Sequence, residues 1–379
     1  MSTRIALVTQ RDVSVGTGRQ IAYGAWSEAE DVLIEAAGAD LDLVRIDVPI
    51  EHPRIRARRS LGRTLRRVRG PDARLPGLLP RSNPSRVLSG RYDVVVFVAF
   101  AIWDLQLIER LGRLRNRADR VVVWFFETWP SSHADGHVAN EPFTAVDDIY
   151  LGAEWAVEPL ADLTGREIQY LPMATDTLRF GPDHPASERP IDLIGIGRRR
   201  QDQHDAMLEW ATERDRFYLY DSTDLARPKD YRRHRDAIGR RYAGSKLAVC
   251  NYGKSDQPEL TGDLRTIPGR LWESLASGAC LVGIPPDESM QRRVLGRTVV
   301  EPMPSDAADL PAFLEEMLNR HGPRAIADNV RLALHGHDWA HRWIELFDRL
   351  DLTPPPALGL RAAELQRRAE KFGPADDRA

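Results

Sequence analysis

Between Thr266 and Ile284 the chain reads TIPGRLWESLASGACLVGI, and two of its charged side chains are spaced for work on a phosphorylated ligand. Pro268 suits the first turn of a helix and Gly278 its left-handed end, so a helix is expected over 268–277. Leu271 and Leu275 then share an inward face, while Arg270 and Glu273 share another. The opening amides of such a helix favour phosphate. Glu273, one turn in, can accept hydrogen bonds from a ribose diol. The same two residues also fit a surface Arg–Glu pair worth roughly a few tenths of a kcal/mol.

Other groups stand where strands end. Glu127 closes the apolar run 120–126 in FFETWP, and His133, Asp135 and His137 follow it. A carboxylate or imidazole there suits a general base or a group that orients an acceptor, and equally a polar loop that caps a strand. Asp221 closes YLYD and can cap the turn after it. Gly16 and Gly18 in VSVGTGRQ form a lone GxG, although Asp47 stands near the place of the acidic partner a dinucleotide fingerprint needs.

The elements that must position these residues alternate, which argues for parallel sheets covered by helices. RIALVT (4–9), DLVRID (42–47), DVVVFVAF (93–100), RVVVWFF (120–126), IYLG (149–152) and EIQYLP (167–172) read as strands. Helices are expected near 27–37, 103–116 and 153–163. GPDHPASERP (181–190) reads as a linker. A second series follows, with strands at 191–197, 216–221, 246–251, 279–284 and 298–302. Its helices are expected near 203–213, 268–277, 308–319 and 338–350, with no element assigned over 222–245. Past Pro354-Pro355-Pro356 a short helix and a frayed tail are expected. Open α/β sheets bind ligands outside the carboxyl ends of their strands. The pattern therefore describes a two-domain α/β enzyme with a crevice between its sheets.

Bulk properties narrow the class. A chain of 379 residues exceeds one ordinary core and suits two. The formal net charge of −3 supplies no global field that selects nucleic acid or membrane. Cys250 and Cys280 read as buried thiols in a reducing compartment, with a single disulfide between them left open. The start MSTRIALVTQ lacks a basic region followed by a long apolar stretch. No run approaches the ~18 apolar residues that span a bilayer, so a cytoplasmic protein is expected. Pro53–Gly70 holds Arg54, Arg56, Arg58, Arg59, Arg63, Arg66, Arg67 and Arg69 with no acid among them. That stretch fits peripheral docking to an anionic membrane at about 1 kcal/mol per basic residue, binding of an acidic acceptor, or a solvated insertion.

RLWESLASGACLVGIPPD resembles the donor-site helix of the group 1 glycosyltransferases, and within them the CgeB-like branch typified by spore maturation protein B. YLPMATDTLRFGP (170–182) is similar to the segment that joins the two domains in that superfamily. IDLIGIGRRR (191–200) is similar to the first C-domain strand with its Gly-Arg turn, and HDWAHRW (337–343) to the last long helix. The ordered matches cover much of 170–350, while the N-terminal half matches only as a Rossmann-like pattern.

The resemblance implies an α/β GT-B fold, two Rossmann-like doubly wound domains facing each other across a cleft. It implies an acceptor domain at 1–180, a nucleotide-sugar domain at 191–337, a helix at 338–350 crossing back to the first domain, and a tail at 354–379. Glu273 would hold the ribose of a nucleotide diphosphate sugar. Arg198, directly after Gly197, would neutralise diphosphate charge with help from Arg270, because the leaving group is a nucleoside diphosphate. No metal and no cofactor are implied.

Two positions depart from the pattern. Arg265 stands where many members carry a glutamate eight residues before Glu273, and His204 where many carry a lysine. A protonated His204 can still meet phosphate. Asp263 and Glu259 are the nearby carboxylates left to meet the sugar, with Glu127 and His133 as acceptor-side candidates. The expected reaction is glycosyl transfer, with retention, from a nucleotide-sugar donor to a glycan, lipid or small-molecule acceptor and not to nucleic acid. The alternatives are a non-catalytic GT-B-like scaffold or partner protein and, on Gly16 and Gly18 alone, an NAD(P)-dependent oxidoreductase.

Overall fold

Runs of β-branched and aromatic residues buried on both faces form two parallel sheets. The computed structural model describes residues 2–9, 24–45, 90–102, 104, 116–129, 143, 146–221 and 230–373. Gly16, Gly18, Asp47, the arginine run 53–70, His133, Asp135 and His137 lie outside them, as does nearly all of the expected helix 103–116. Contacts divide the chain into Met1–Met173 with Arg342–Gly359, and Ala174–His341 with Leu360–Ala379.

The first unit carries strands β1 (Ile5–Thr9), β2 (Leu41–Arg45), β3 (Tyr92–Ala101), β4 (Ala118–Glu127), β5 (Asp148–Leu151) and β6 (Gln169–Tyr170), in the order β2-β1-β3-β4-β5-β6. Every pairing is parallel, with Ile5 opposite Val94 and Phe97 opposite Val123. Val94–Val98 and Val121–Phe126 are buried throughout, which is why they read as unbroken apolar runs. Helices α1 (Gly24–Ala37) and α2 (Val157–Thr164) flank this sheet in sequence. The expected strand 167–172 shrinks to the two residues of β6.

The second unit begins with α3 (Thr177–Phe180), then alternates β7 (Ile191–Gly195), α4 (Gln201–Glu213), β8 (Tyr218–Tyr220), α5 (Tyr231–Ala243) and β9 (Ser245–Val249). There follow α6 (Pro258–Thr261), α7 (Gly269–Ser277), β10 (Cys280–Gly283), α8 (Glu288–Leu295), β11 (Val300–Pro302), α9 (Leu310–Arg320) and α10 (Pro323–Gly336); α11 (Trp339–Arg349) belongs mostly to the first unit and α12 (Pro356–Lys371) mostly to the second. The sheet order β11-β10-β9-β7-β8 is all parallel and reverses direction between β7 and β9. That reversal is the switch point of a doubly wound sheet, where ligands bind at the carboxyl ends.

Several elements differ from the expectation. Within the stretch left unassigned, helix α5 runs from Tyr231 to Ala243, and α10 carries a buried stripe of Ile326, Ala327, Val330, Ala333 and Leu334. The short helix and frayed tail become the 16 residues of α12, with Leu358, Leu365, Ala369 and Phe372 buried. Arg361 of α12 donates to Asp338 from Nε and Nη2, both at 2.8 Å, and to Asp176 at 2.6 Å. Asp338 also accepts from the amide and hydroxyl of Thr177, so 174–180 and α12 are fastened to the second unit.

The linker 181–190 is pinned too. Arg189 is buried and donates to Ser245 O at 2.6 Å and Ser277 O at 2.7 Å. Gly278 ends α7 at φ +76°, and a Cβ there would meet Ile326 Cγ2 at 2.8 Å. Both cysteines are free thiols, each pushed up to about 12 by burial. Among the described residues no helix is long and apolar enough to cross a membrane.

Candidate functional site

Strand β7 delivers Gly197 and Arg198 to the carboxyl edge of the second sheet, and the chain turns there into α4. Gly197 sits at φ +86°, a backbone that favours glycine, and a Cβ on it would lie 2.9 Å from Arg270 Nη2, so the guanidinium would have to shift. Its amide donates to both carboxylate oxygens of Asp221 at 3.0 Å. Asp221 directly follows β8, and Arg199 donates to its carbonyl while also facing the Tyr220 ring at 5.6 Å. Asp221 therefore does more than cap its own turn. It fixes the Gly197 turn to the neighbouring strand.

Arg198 is half exposed and pairs with Asp256 at 3.1 Å. Arg270 reaches back from α7 and donates from Nη1 to Arg198 O at 2.7 Å. The helix opens after an extended Pro268, and the Leu271 amide already bonds to Pro268 O. By helix geometry the amides of Gly269 and Arg270 have no intrahelical acceptor. The approach to the helix is held by Gly253 N to Thr266 O at 3.0 Å and Asp287 N to Arg265 O at 2.8 Å. Buried Asn251 ties three segments together, donating to Gln203 Oε1 and accepting from the Ile284 amide.

Glu273 lies one turn into α7. Its Oε1 accepts from Arg235 Nη2 at 2.6 Å, with the arginine side chain 4% exposed and the glutamate 12%. Arg270 and Glu273 thus turn to different partners, and the surface pair left open by their spacing is not what forms. Arg235 comes from α5, the helix the sequence reading leaves unassigned. Arg265, at the place of the missing glutamate, lies over the Tyr252 ring at 5.8 Å.

His204 differs from the expectation of a protonated ring at phosphate. It is buried on α4, its Nδ1 shares a 3.0 Å hydrogen bond with the Tyr218 hydroxyl, and its ring lies edge-on to Tyr220 at 4.7 Å. Burial, reinforced by the nearby Arg199 charge, pushes its pKa below the usual histidine value. The ring is neutral at pH 7. It packs against Tyr218 and Tyr220 of β8 instead of offering a charge.

Glu127 ends β4 in the first unit and accepts from the Trp129 indole N–H. Asp263 is exposed in the stretch between α6 and α7. Among the described residues no cluster of histidine, cysteine, aspartate or glutamate is placed to hold a metal ion. Sequence reasoning missed Asp256 and Arg235, which lie 58 and 38 residues from their partners. The one signal for Arg235 was a basic residue amid Ile238 and Tyr242 at helical spacing.

No family model matches the chain, and no curated protein matches it by sequence. Solved structures do. An alpha-glucosyltransferase in complex with UDP and a 13-mer DNA containing a HMU base aligns over 92% of this chain and 99% of that one, at 13% identity and TM-score 0.53. The same coverage and TM-score, at 12% identity, hold for an alpha-glucosyltransferase with UDP-glucose and DNA containing an abasic site. Similarity at that identity speaks for the fold. With two parallel-sheet α/β units, the chain has a two-domain Rossmann-like GT-B fold.

Proposed function

We propose that this chain is a glycosyltransferase that moves a sugar from a nucleoside diphosphate sugar to an acceptor, and that the second unit binds the donor. The observation that carries the reading is the Arg270–Arg198 hydrogen bond. It joins the Gly197–Arg198 turn at the switch-point strand to the amino end of α7, gathering two guanidinium groups and opening amides at one place. Such a set suits a diphosphate whose negative charge grows as the glycosidic bond to it breaks. The Arg198–Asp256 pair is exposed enough to be worth about 0–1 kcal/mol, so phosphate oxygens replace Asp256 at little cost.

In this reading Glu273 accepts hydrogen bonds from the ribose hydroxyls, and Arg198 and Arg270 neutralise the departing diphosphate. Gly197 lets the phosphate approach the backbone, and His204 packs against β8. Glu127 and His133 serve the acceptor in the first unit, and Asp263 stands nearest in sequence to α7 for the sugar hydroxyls. Retention at the anomeric carbon and membership of the CgeB-like branch rest on the Arg270–Gly278 motif. We propose a glycan, lipid or small-molecule hydroxyl as the acceptor, a cytoplasmic setting, and contact with a membrane surface through 53–70. Neither a metal nor a cofactor is assigned a part.

A thermal-shift screen against nucleotide sugars tests the reading, since a ligand at a hundred times its Kd adds about 2.7 kcal/mol. One or more should stabilise the parent and not Glu273→Ala. Equal stabilisation of both proteins removes Glu273 from the site. The neutral, buried His204 favours a second reading, a GT-B-like scaffold with a weakened phosphate site. A scaffold binds no nucleotide sugar and hydrolyses none.

A further inference from the structure

Glu273 does not stand alone on α7. Its Oε1 is engaged by Arg235 at 2.6 Å, and among the described residues Oε2 has no protein partner. The arginine is itself fixed. Its guanidinium carbon lies 4.8 Å from the centre of the Phe180 ring, and Phe180 packs on Tyr242 at 6.0 Å. Three helices meet here, α3 through Phe180, α5 through Arg235 and Tyr242, and α7 through Glu273. A cation-π stack and a charge-assisted hydrogen bond together fix where the carboxylate points. A carboxylate that is to accept from a diol needs its orientation set by neighbours, because a loose side chain spends part of its binding energy on ordering.

We propose that Arg235 is a positioning residue of the donor site, holding Oε1 of Glu273 so that Oε2 faces the ribose hydroxyls of a nucleoside diphosphate. The inference rests on the donor-site reading above and adds what that reading lacks, the group that aims its carboxylate. Arg235 touches no substrate. Its removal therefore damages recognition of the ribose in particular, whereas loss of a merely structural ion pair weakens all ligands alike.

The test compares a ribonucleoside diphosphate with its 2′,3′-dideoxy counterpart by calorimetric titration. Full-length parent is first titrated with UDP, GDP and ADP, and the tightest is carried forward. The parent should prefer the ribose form by about tenfold or more, because the dideoxy ligand offers the Glu273 carboxylate no hydroxyl to accept from. Arg235→Met and Glu273→Gln should each shrink that preference to about twofold, and the double variant should be no worse than either single one. Arg235→Lys, which keeps the charge on a single donor, should recover part of it. Should the methionine variant fail to fold, the lysine variant still reads the ratio, between parent and Glu273→Gln.

An unchanged ribose preference in Arg235→Met, or in Arg235→Lys read alone, overturns the positioning role while leaving the donor site intact. Weakening of both ligands by one common factor does the same. Parent protein that binds none of the three diphosphates overturns the donor-site reading, and the role of Arg235 falls with it.

Discussion

The two ends of the second sheet use the same residue types for opposite purposes. At the amino ends of its strands several basic groups are committed to carbonyls or carboxylates. Buried Arg189 bonds two backbone carbonyls, Lys246 holds Asp192 at 2.6 Å, and Arg216 reaches Glu315. His321 shares a 2.8 Å hydrogen bond with Gly278 O. At the carboxyl ends Arg198 is 51% exposed and pairs with Asp256, and the Gly197 amide is held by Asp221. A cation spent on a buried carbonyl stabilises the fold, whereas a cation lent to an exposed carboxylate is available to a ligand. Arginine count says nothing about function here; what each guanidinium is bonded to decides.

That contrast can be broken by exchanging readouts between the ends. Arg189→Ala leaves the Ser245 and Ser277 carbonyls without their donor and should cost about 3 kcal/mol of stability in urea titrations. Nucleotide affinity of the folded fraction should be unchanged. The amino end should also set a pH dependence. Burial brings the His321 pKa down to about 4, so between pH 6.5 and 4 the unfolded chain binds the extra proton. Its contribution is present above about 6.5 and lost as pH falls toward 4, at most about 3 kcal/mol in total. The decline should flatten in His321→Gln, and a slope of the same size in that variant removes the histidine from the account.

The carboxyl end should behave in reverse. Arg198→Ala should move stability by less than about 0.5 kcal/mol yet weaken nucleoside diphosphate binding by about 2 kcal/mol, roughly thirtyfold. Gly197→Ala meets both a left-handed backbone and the Arg270 guanidinium. It should cost about 1–2 kcal/mol and lower affinity as Arg270 shifts. Asp256→Asn is the mildest. It should change stability by less than about 1 kcal/mol and leave affinity equal or raised, because the carboxylate that competes with phosphate is gone.

Legibility in the sequence followed burial. Strands β3, β4 and β7 were plain because their central apolar runs, Val94–Val98, Val121–Phe126 and Leu193–Ile194, are fully buried. Helix α7 was plain because Pro268 and Gly278 punctuate it. Helix α5 was not, because one of its buried positions is Arg235, and a charge neutralised 38 residues away looks like a solvent-facing residue until the partner is known. Helix α12 hid behind its prolines, since Pro356 begins it and Arg361, the residue that anchors it, again pairs with distant carboxylates. Among the candidate residues, Gly197, Arg198 and Arg270 came from separate motifs and meet at one turn, while Glu273 turns to Arg235. Asp221 was seen only as a turn cap, and Asp256 not at all, because what they do depends on which strands lie side by side.

Hydrogen exchange with and without a saturating nucleoside diphosphate tests the central claim most directly. The amides of 196–200 and 266–273 should gain protection together, with the stretches around Arg189 and His321 unchanged. Binding that leaves both of those segments at their ligand-free exchange rates, or that protects the amino end instead, would contradict a donor site built on the Gly197–Arg198 turn and the opening of α7.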